Sequence, residues 1–346
     1  MGRQLVEGGD RDALPILAQV LDNQGSVLAE QGRAGDALGP TSEALEIREH
    51  LREPRELSPT LATSYSHRGL RYRDLQRYDK ALEDSQQAVT LFEALLEQDP
   101  DFHYDLALAR ANLAIDHFVG GEAGEASKMA ELAQETLSDL AADQQTPHDL
   151  QLASTINNLA TLQLRIGSLE SAESLARYSI LLRRELDQLH PGRFVADLAA
   201  GHNTLSNVLS EQGRHAEALR EIQKAIEYFE TVFDPDDESE FPPPFAIHYV
   251  GCLFNWGTKL QAFGRYRQAL EAIEQSIAKV MQWQSSPPNS WRLLLADALG
   301  NKSIVLDLLD RAEEALDASK QSLAIREELA EENPEVHKAA PADALT

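Results

Sequence analysis

The side chains able to do chemistry are ten histidines, one cysteine and 57 carboxylates, and their spacing argues against catalysis. A metal site on helices needs two histidines one turn apart or a pair of cysteines. No two histidines stand four positions apart and Cys252 is the only thiol, so neither a metal nor a cofactor is expected. The carboxylate pairs Glu327-Glu328 and Glu331-Glu332 fall on one solvated helical stretch, which accounts for them without glycosidase chemistry. No nucleophile elbow, phosphate-binding glycine loop or dinucleotide fingerprint occurs. What does recur is an amide. Asn23, His67, Asn112, Asn158, Thr204, Asn255 and Asn301 follow one another at intervals of 44 to 51 residues, and five of the seven are asparagine. An asparagine side chain both donates and accepts, so a row of them can bond the backbone of an extended chain whatever its side chains.

Each member of that row stands two positions before a small residue: Gly25, Gly69, Ala114, Ala160, Ser206, Gly257 and Ser303. Twelve positions later comes Ala37, Ala81, Ala126, Ala172, Ala218, Ala269 or Ala315, and seven later still Ala44, Ala88, Ala133, Ser179, Ala225, Ser276 or Ser322. Two helices cross closely only where neither carries a bulky side chain, so the spacing predicts seven helix hairpins with a close crossing in each. Glycine stands at the turn in Gly32, Gly121, Gly167, Gly213 and Gly264, where access to positive φ ends the first helix, and Gln76 takes that place in the second hairpin. Ser58-Pro59, Asp99-Pro100, Thr146-Pro147 and His190-Pro191 mark the boundaries between hairpins, because proline starts a helix but does not let one run through.

Composition limits the partners. A net charge of −26 disfavours nucleic acid and anionic membranes, and it places a basic protein or peptide among the candidate partners. The lone cysteine fits a reducing cytoplasm. No stretch approaches the ~18 apolar residues of a membrane span, and the opening MGRQLVEGGDRDALP lacks the core of a signal peptide. The apolar fraction of 42% is enough for a stacked core.

Small residues spaced by 12 and 7, a turn glycine and a closing proline resemble the tetratricopeptide repeat, and phrases such as EALEIREHL, 43–51, and SLAIREELAEENP, 322–334, resemble the long-helix version of kinesin light chains and many bacterial regulators. The resemblance implies an all-α fold, a right-handed α-solenoid superhelix of about seven hairpins. Their bounds would lie near 11–54, 58–100, 101–146, 147–191, 193–233, 243–286 and 288–334 of a single solenoid over 1–346. The acidic and proline-rich insertion 234–245 reads as a surface loop, or as a hinge or docking site for a basic partner, and 335–346 as a flexible tail. The bulky aliphatic residue usual just before the first small position is replaced by Gln24, Arg68 and Lys302, so those hairpins are expected to pack less tightly or to face a partner. The first hairpin carries little polar cap, as if it were cut from a longer protein or packed on another surface.

In such a superhelix the first helix of each hairpin lines the concave wall. The resemblance therefore points Asn23, His67, Asn112, Asn158, Asn255 and Asn301 inward, together with Asn203, Asn207, Phe254, Phe118, Arg73 and Arg165. Two roles are open to the asparagines, holding a ligand backbone or bridging neighbouring helices. No lysine stands where relatives that clamp chaperone tails carry one. The expected function is a non-enzymatic scaffold for protein–protein interaction that binds an extended peptide or partner helix in its groove. Its alternative is a regulatory segment of a larger signalling protein, such as a bacterial Ser/Thr kinase. A peptide-sensing regulator ranks third.

Overall fold

A computed structural model describes residues 13–30, 33–51, 57–142, 150–232, 245–283 and 289–332. Among them there are fourteen α-helices and no strand. They follow the order of first and second helices, paired as hairpins within each unit: α1 Leu14–Glu30 and α2 Ala34–Leu51; α3 Pro59–Asp74 and α4 Tyr78–Leu96; α5 His103–Val119 and α6 Ala123–Ala142; then α7 Leu150–Ile166, the last helix of the first unit, and α8 Leu169–Leu189, the first of the second; α9 Val195–Glu211 and α10 His215–Glu230; α11 Ala246–Ala262 and α12 Tyr266–Gln282; α13 Asn289–Leu308 and α14 Ala312–Glu332. This is the α-solenoid class of fold. The chain divides into two compact units, residues 1–168 and 169–346, so that α1 to α7 belong to the first and α8 to α14 to the second.

The small residues do what their spacing predicts. Twenty of the twenty-one are buried, and Ser303 is half-buried. The Ser206 hydroxyl donates to the Ala218 carbonyl at 2.8 Å, so the first small position of that hairpin lies against the backbone of the second. A Cβ on Gly69 would come within 3.4 Å of the Ala81 carbonyl oxygen, and one on Gly257 within 3.2 Å of that of Ala269. The third position closes the other end of the crossing: Ser276 and Ser322 donate to the carbonyls of Val250 and Ala296 at 3.3 and 2.7 Å.

The turns and starts follow the same local logic. Gly121, Gly167, Gly213 and Gly264 have positive φ, and Gln76 and Asp310 take the left-handed conformation without being glycine, at φ of 57° and 60°. Ser58 caps α3 by accepting from the Leu61 amide, with Pro59 in the first turn. Gly32, Thr146-Pro147, residues 234–244 of the insertion and the tail 335–346 lie outside the described residues.

Apolar side chains join neighbouring hairpins in both units. Val89, Leu91 and Phe92 of α4 cluster with Leu106, Ala109 and Leu113 of α5 in the first unit. In the second, Ile226 and Phe229 of α10 pack with Tyr249, Val250 and Leu253 of α11, and Trp283 and Trp291 extend that cluster. Within each unit, among the described residues, the backbones of the first helices of neighbouring hairpins also come close to one another, whereas those of the second helices do not. The first helices thus form the tighter side of the stack, and the second helices spread apart.

Candidate functional site

The wall of first helices is where the amide row stands. In the first unit Asn23 and Asn158 are exposed; Asn23 accepts from Gln19 at 3.1 Å, and Asn158 makes no side-chain hydrogen bond among the described residues. Arg73 crosses from α3 to α5 and donates to the Asn112 side-chain oxygen at 3.2 Å, to the Asn112 carbonyl at 3.2 Å and to Asp116 at 3.1 Å. Arg73 and Asn112 are therefore brought together, with the acceptor of the amide already engaged. Arg165 is exposed and lies over the Phe118 ring, 4.9 Å from its centroid.

Behind that wall runs a line of buried ion pairs that ties the hairpins of the first unit together. Arg48 is 8% exposed and donates to Asp22 and to Ser64 of the next hairpin. His67 stands 4.0 Å from the same Asp22; burial lowers its pKa, more than the carboxylate raises it. Arg68 makes two 2.7 Å hydrogen bonds to Asp84, so this substitution for an aliphatic residue supports the hairpin instead of loosening it. Asp116 accepts from Ser85 at 2.6 Å as well as from Arg73; burial raises its pKa and these partners only partly offset the rise. Two of the predicted wall residues, His67 and Arg73, thus also serve the packing between hairpins.

In the second unit Asn255 donates to Asn203 at 2.8 Å, a direct bond from α11 to α9, and among the described residues the Asn203 amide group and the Asn255 oxygen have no further partner. Asn301 donates to the Asp297 carbonyl at 3.2 Å on its own helix, and Asn207 is half-buried with no side-chain bond. Phe254 is half-buried against the Leu260–Ile273 cluster. Thr204, the one hydroxyl in the row, is 7% exposed and faces away from solvent. The amides are accompanied by two apolar side chains that the sequence reading passed over, Ile304 and Leu308, 48% and 46% exposed on α13. They stand one and five positions after the small residue Ser303, on the turns where Asn207 and Glu211 stand in α9, and that register is the signal that could have found them.

Three further sets of charges brace the second unit. Glu173 on α8 takes hydrogen bonds from Arg177, Gln212 and Arg214; burial works against ionisation, yet these donors hold the carboxyl down to about 2. His202, 2% exposed on α9, bonds Glu221 of α10 at 2.6 Å and stacks on Tyr228. The acids Glu328 and Glu332 are not merely solvated: Arg292 of α13 pairs with both, at 2.8 and 2.7 Å. Among the described residues no three His, Cys, Asp or Glu side chains gather at metal-binding range, and no helix is long and apolar enough to cross a membrane. Cys252 is 4% exposed, and burial pushes its thiol up to about 12.

The Tetratricopeptide repeat family profile matches residues 61–103 and 203–238. No curated protein matches the sequence significantly. Among solved structures, the apo form of RapI superposes with a TM-score of 0.62 at 13% identity, over 90% of this chain and 77% of that one. A kinesin light chain from Podosopora anserina with nearly identical repeats gives 0.50 at 17% identity, over 67% and 100%. The Rap conjugation gene regulator of plasmid pLS20, in complex with its Phr peptide, gives 0.53 at 14%, over 89% and 73%. At these identities the likeness is one of fold.

Proposed function

We propose that this chain, a protein of tetratricopeptide repeats, is a non-enzymatic scaffold whose first helices bind an extended peptide or a partner helix. The observation that carries the reading is the mixed wall of the second unit, where Asn203, Asn207, Asn255 and Asn301 stand beside Phe254, Ile304 and Leu308. Amides with unused donors and acceptors bond a peptide backbone in any register, and exposed aliphatic side chains give an apolar anchor a place to rest. The net charge of −26 speeds encounter with a cationic partner and so favours a peptide with basic flanks. That one fold relative was solved with a peptide bound lends the reading support. In the first unit Arg73, Asn112, Asn158, Arg165, Asn23 and His67 form the corresponding wall, with Asn158 and Arg165 its most available contacts.

The test is selection from a displayed random-peptide library, followed by calorimetry on the peptides recovered. Changing Asn207, Asn255 and Asn301 together to Ala should weaken binding, and changing Ile304 and Leu308 together to Gln should weaken it more. Recovery of no peptide, or affinities that neither variant alters, would remove this reading.

A further inference from the structure

Within the second unit the spread of the second helices opens a cleft between α10 and α12, above α11. At its base stands the residue directly before the first small position of α11. That residue is a fully buried leucine in three hairpins, Leu113, Leu159 and Leu205, and where it is Arg68 or Lys302 it bonds a carboxylate, Asp84 or Glu274. In α11 it is Trp256, which is only half-buried and whose indole N–H makes no hydrogen bond among the described residues. Leu219, Leu260 and Ala272 complete an apolar floor around it. The rim is polar and exposed, with Gln223 on α10 and Gln268, Glu271 and Gln275 on α12. Among the described residues none of these four side chains has a hydrogen bond or an ion pair, whereas Arg214, Lys224, Arg292, Arg311 and Arg326 of the same unit are each paired with an acid. Arg265 also lines the cleft, and its guanidinium lies over the Phe263 ring, 4.9 Å from the centroid.

We propose that this cleft receives a single arginine side chain of a partner protein. Size limits the occupant first: at about 170 Å³ the cleft falls well below the ~300–1,000 Å³ of small-molecule sites, so it suits one long side chain and not a free metabolite. Chemistry then chooses the side chain. An arginine stem is apolar and rests on Leu219, Leu260 and Ala272, while its head is a planar cation, which an indole attracts more strongly than other aromatic rings do. The N–H donors of that head need acceptors around them, and the Glu271 carboxylate and the side-chain oxygens of Gln223, Gln268 and Gln275 supply them. Lysine fits less well, since its donors converge on one point and do not span the rim. A leucine would cover the floor but strip water from Glu271 without offering it a partner. The net charge of −26 draws a cationic partner toward the chain. The cleft lies between second helices, so the inference does not rest on peptide binding by the first helices.

Nuclear magnetic resonance of the whole chain tests it, at about 0.15 M salt so that diffuse attraction between charges is screened. The chain has three tryptophans, and the indole N–H signal that Trp256→Phe removes is that of Trp256. Titration with N-acetylarginine amide should move this signal saturably and leave those of the buried Trp283 and Trp291 in place. N-acetyllysine amide and N-acetylleucine amide should bind about tenfold more weakly. Glu271→Gln, at an exposed position, should weaken the arginine amide by about the same factor, because a hydrogen bond between ions becomes one to a neutral group. If none of the three indole signals moves with the arginine amide, the proposal is overturned on the wild-type protein alone. A lysine or leucine amide that binds as tightly overturns it too, as does an affinity that Glu271→Gln leaves unaltered.

Discussion

The same substitution at the same repeat position should have opposite effects in two hairpins. Alanine in place of a mid-helix glycine gains about 0.8–1.0 kcal/mol of helix propensity wherever it fits. At Gly69 it fits: the new Cβ would meet Ser85 Oγ at 3.2 Å and the Ala81 oxygen and Asp84 Cβ at 3.4 Å, contacts relieved by a shift of a few tenths of an ångström. At Gly257 the Cβ would sit 2.5 Å from Ile273 Cγ1 and 3.2 Å from the Ala269 oxygen. Carbon atoms rest about 3.5–4.0 Å apart, so roughly 1 Å of overlap must be removed. Ile273 is β-branched and stiff within its helix, which leaves movement of α12 as the way out, at about 1–3 kcal/mol. Gly69→Ala should therefore stabilise by ~0.5–1 kcal/mol, while Gly257→Ala should cost up to ~2 kcal/mol. For compact units of roughly 170 residues, 1 kcal/mol moves the melting temperature by about 2–4 °C. Calorimetric melts of the two variants should then lie on opposite sides of wild type. If both rise by the same amount, the crossing at Gly257 is not closed by Ile273 and the packing argument fails at its tightest point.

Two further outcomes follow from the ion pairs. Asp22→Ala leaves the Arg48 guanidinium buried with only Ser64 and Gln19 nearby, and should cost about 3–5 kcal/mol in urea unfolding; adding Arg48→Met should restore most of that loss, and a double variant no better than the single one would contradict the pairing. Glu221 is held down from 4.5 to about 2, since burial would raise it but hydrogen bonds from His202 and Lys224 outweigh that effect. A depressed carboxyl contributes stability that is complete above pH 4.5 and lost as the pH falls toward 2, so Glu221→Gln should flatten the acid limb of the stability curve in that window. An unchanged slope there would separate Glu221 from the acid response.

The hairpins were legible in the sequence because a close crossing is a local demand: it fixes residue size at set intervals, and Ala81, Ala218 and Ala269 answer it without reference to anything distant. The turn position at Gln76 and Asp310 was readable from register, though not from residue type, since neither is glycine. The contents of the wall were legible only in part. That Asn112 and Asn255 stand on first helices follows from the repeat, but that Arg73 occupies the acceptor of Asn112 and Asn203 a donor of Asn255 depends on how neighbouring hairpins stack. Those partners lie 39 and 52 residues away, and no local pattern carries that information. For the same reason Arg68 looked like a flaw in the core until Asp84 was seen beside it.

The bond between Asn255 and Asn203 bears on how a peptide would be held. A ligand that takes over either amide exchanges one hydrogen bond for another, and a net of about 0.5–1.5 kcal/mol per bond shrinks toward zero in the exchange. The unused donors of Asn203 and acceptors of Asn255 can contribute that amount, but only to a backbone in the right orientation. Covering the exposed half of Ile304 and of Leu308 contributes roughly 1 kcal/mol each, and the half-buried Phe254 adds a similar amount. These apolar terms do not compete with an internal bond, so they set the affinity while the amides set direction and register. A peptide lacking any apolar residue should accordingly bind far more weakly than one carrying a single leucine, whatever its backbone can offer the asparagines.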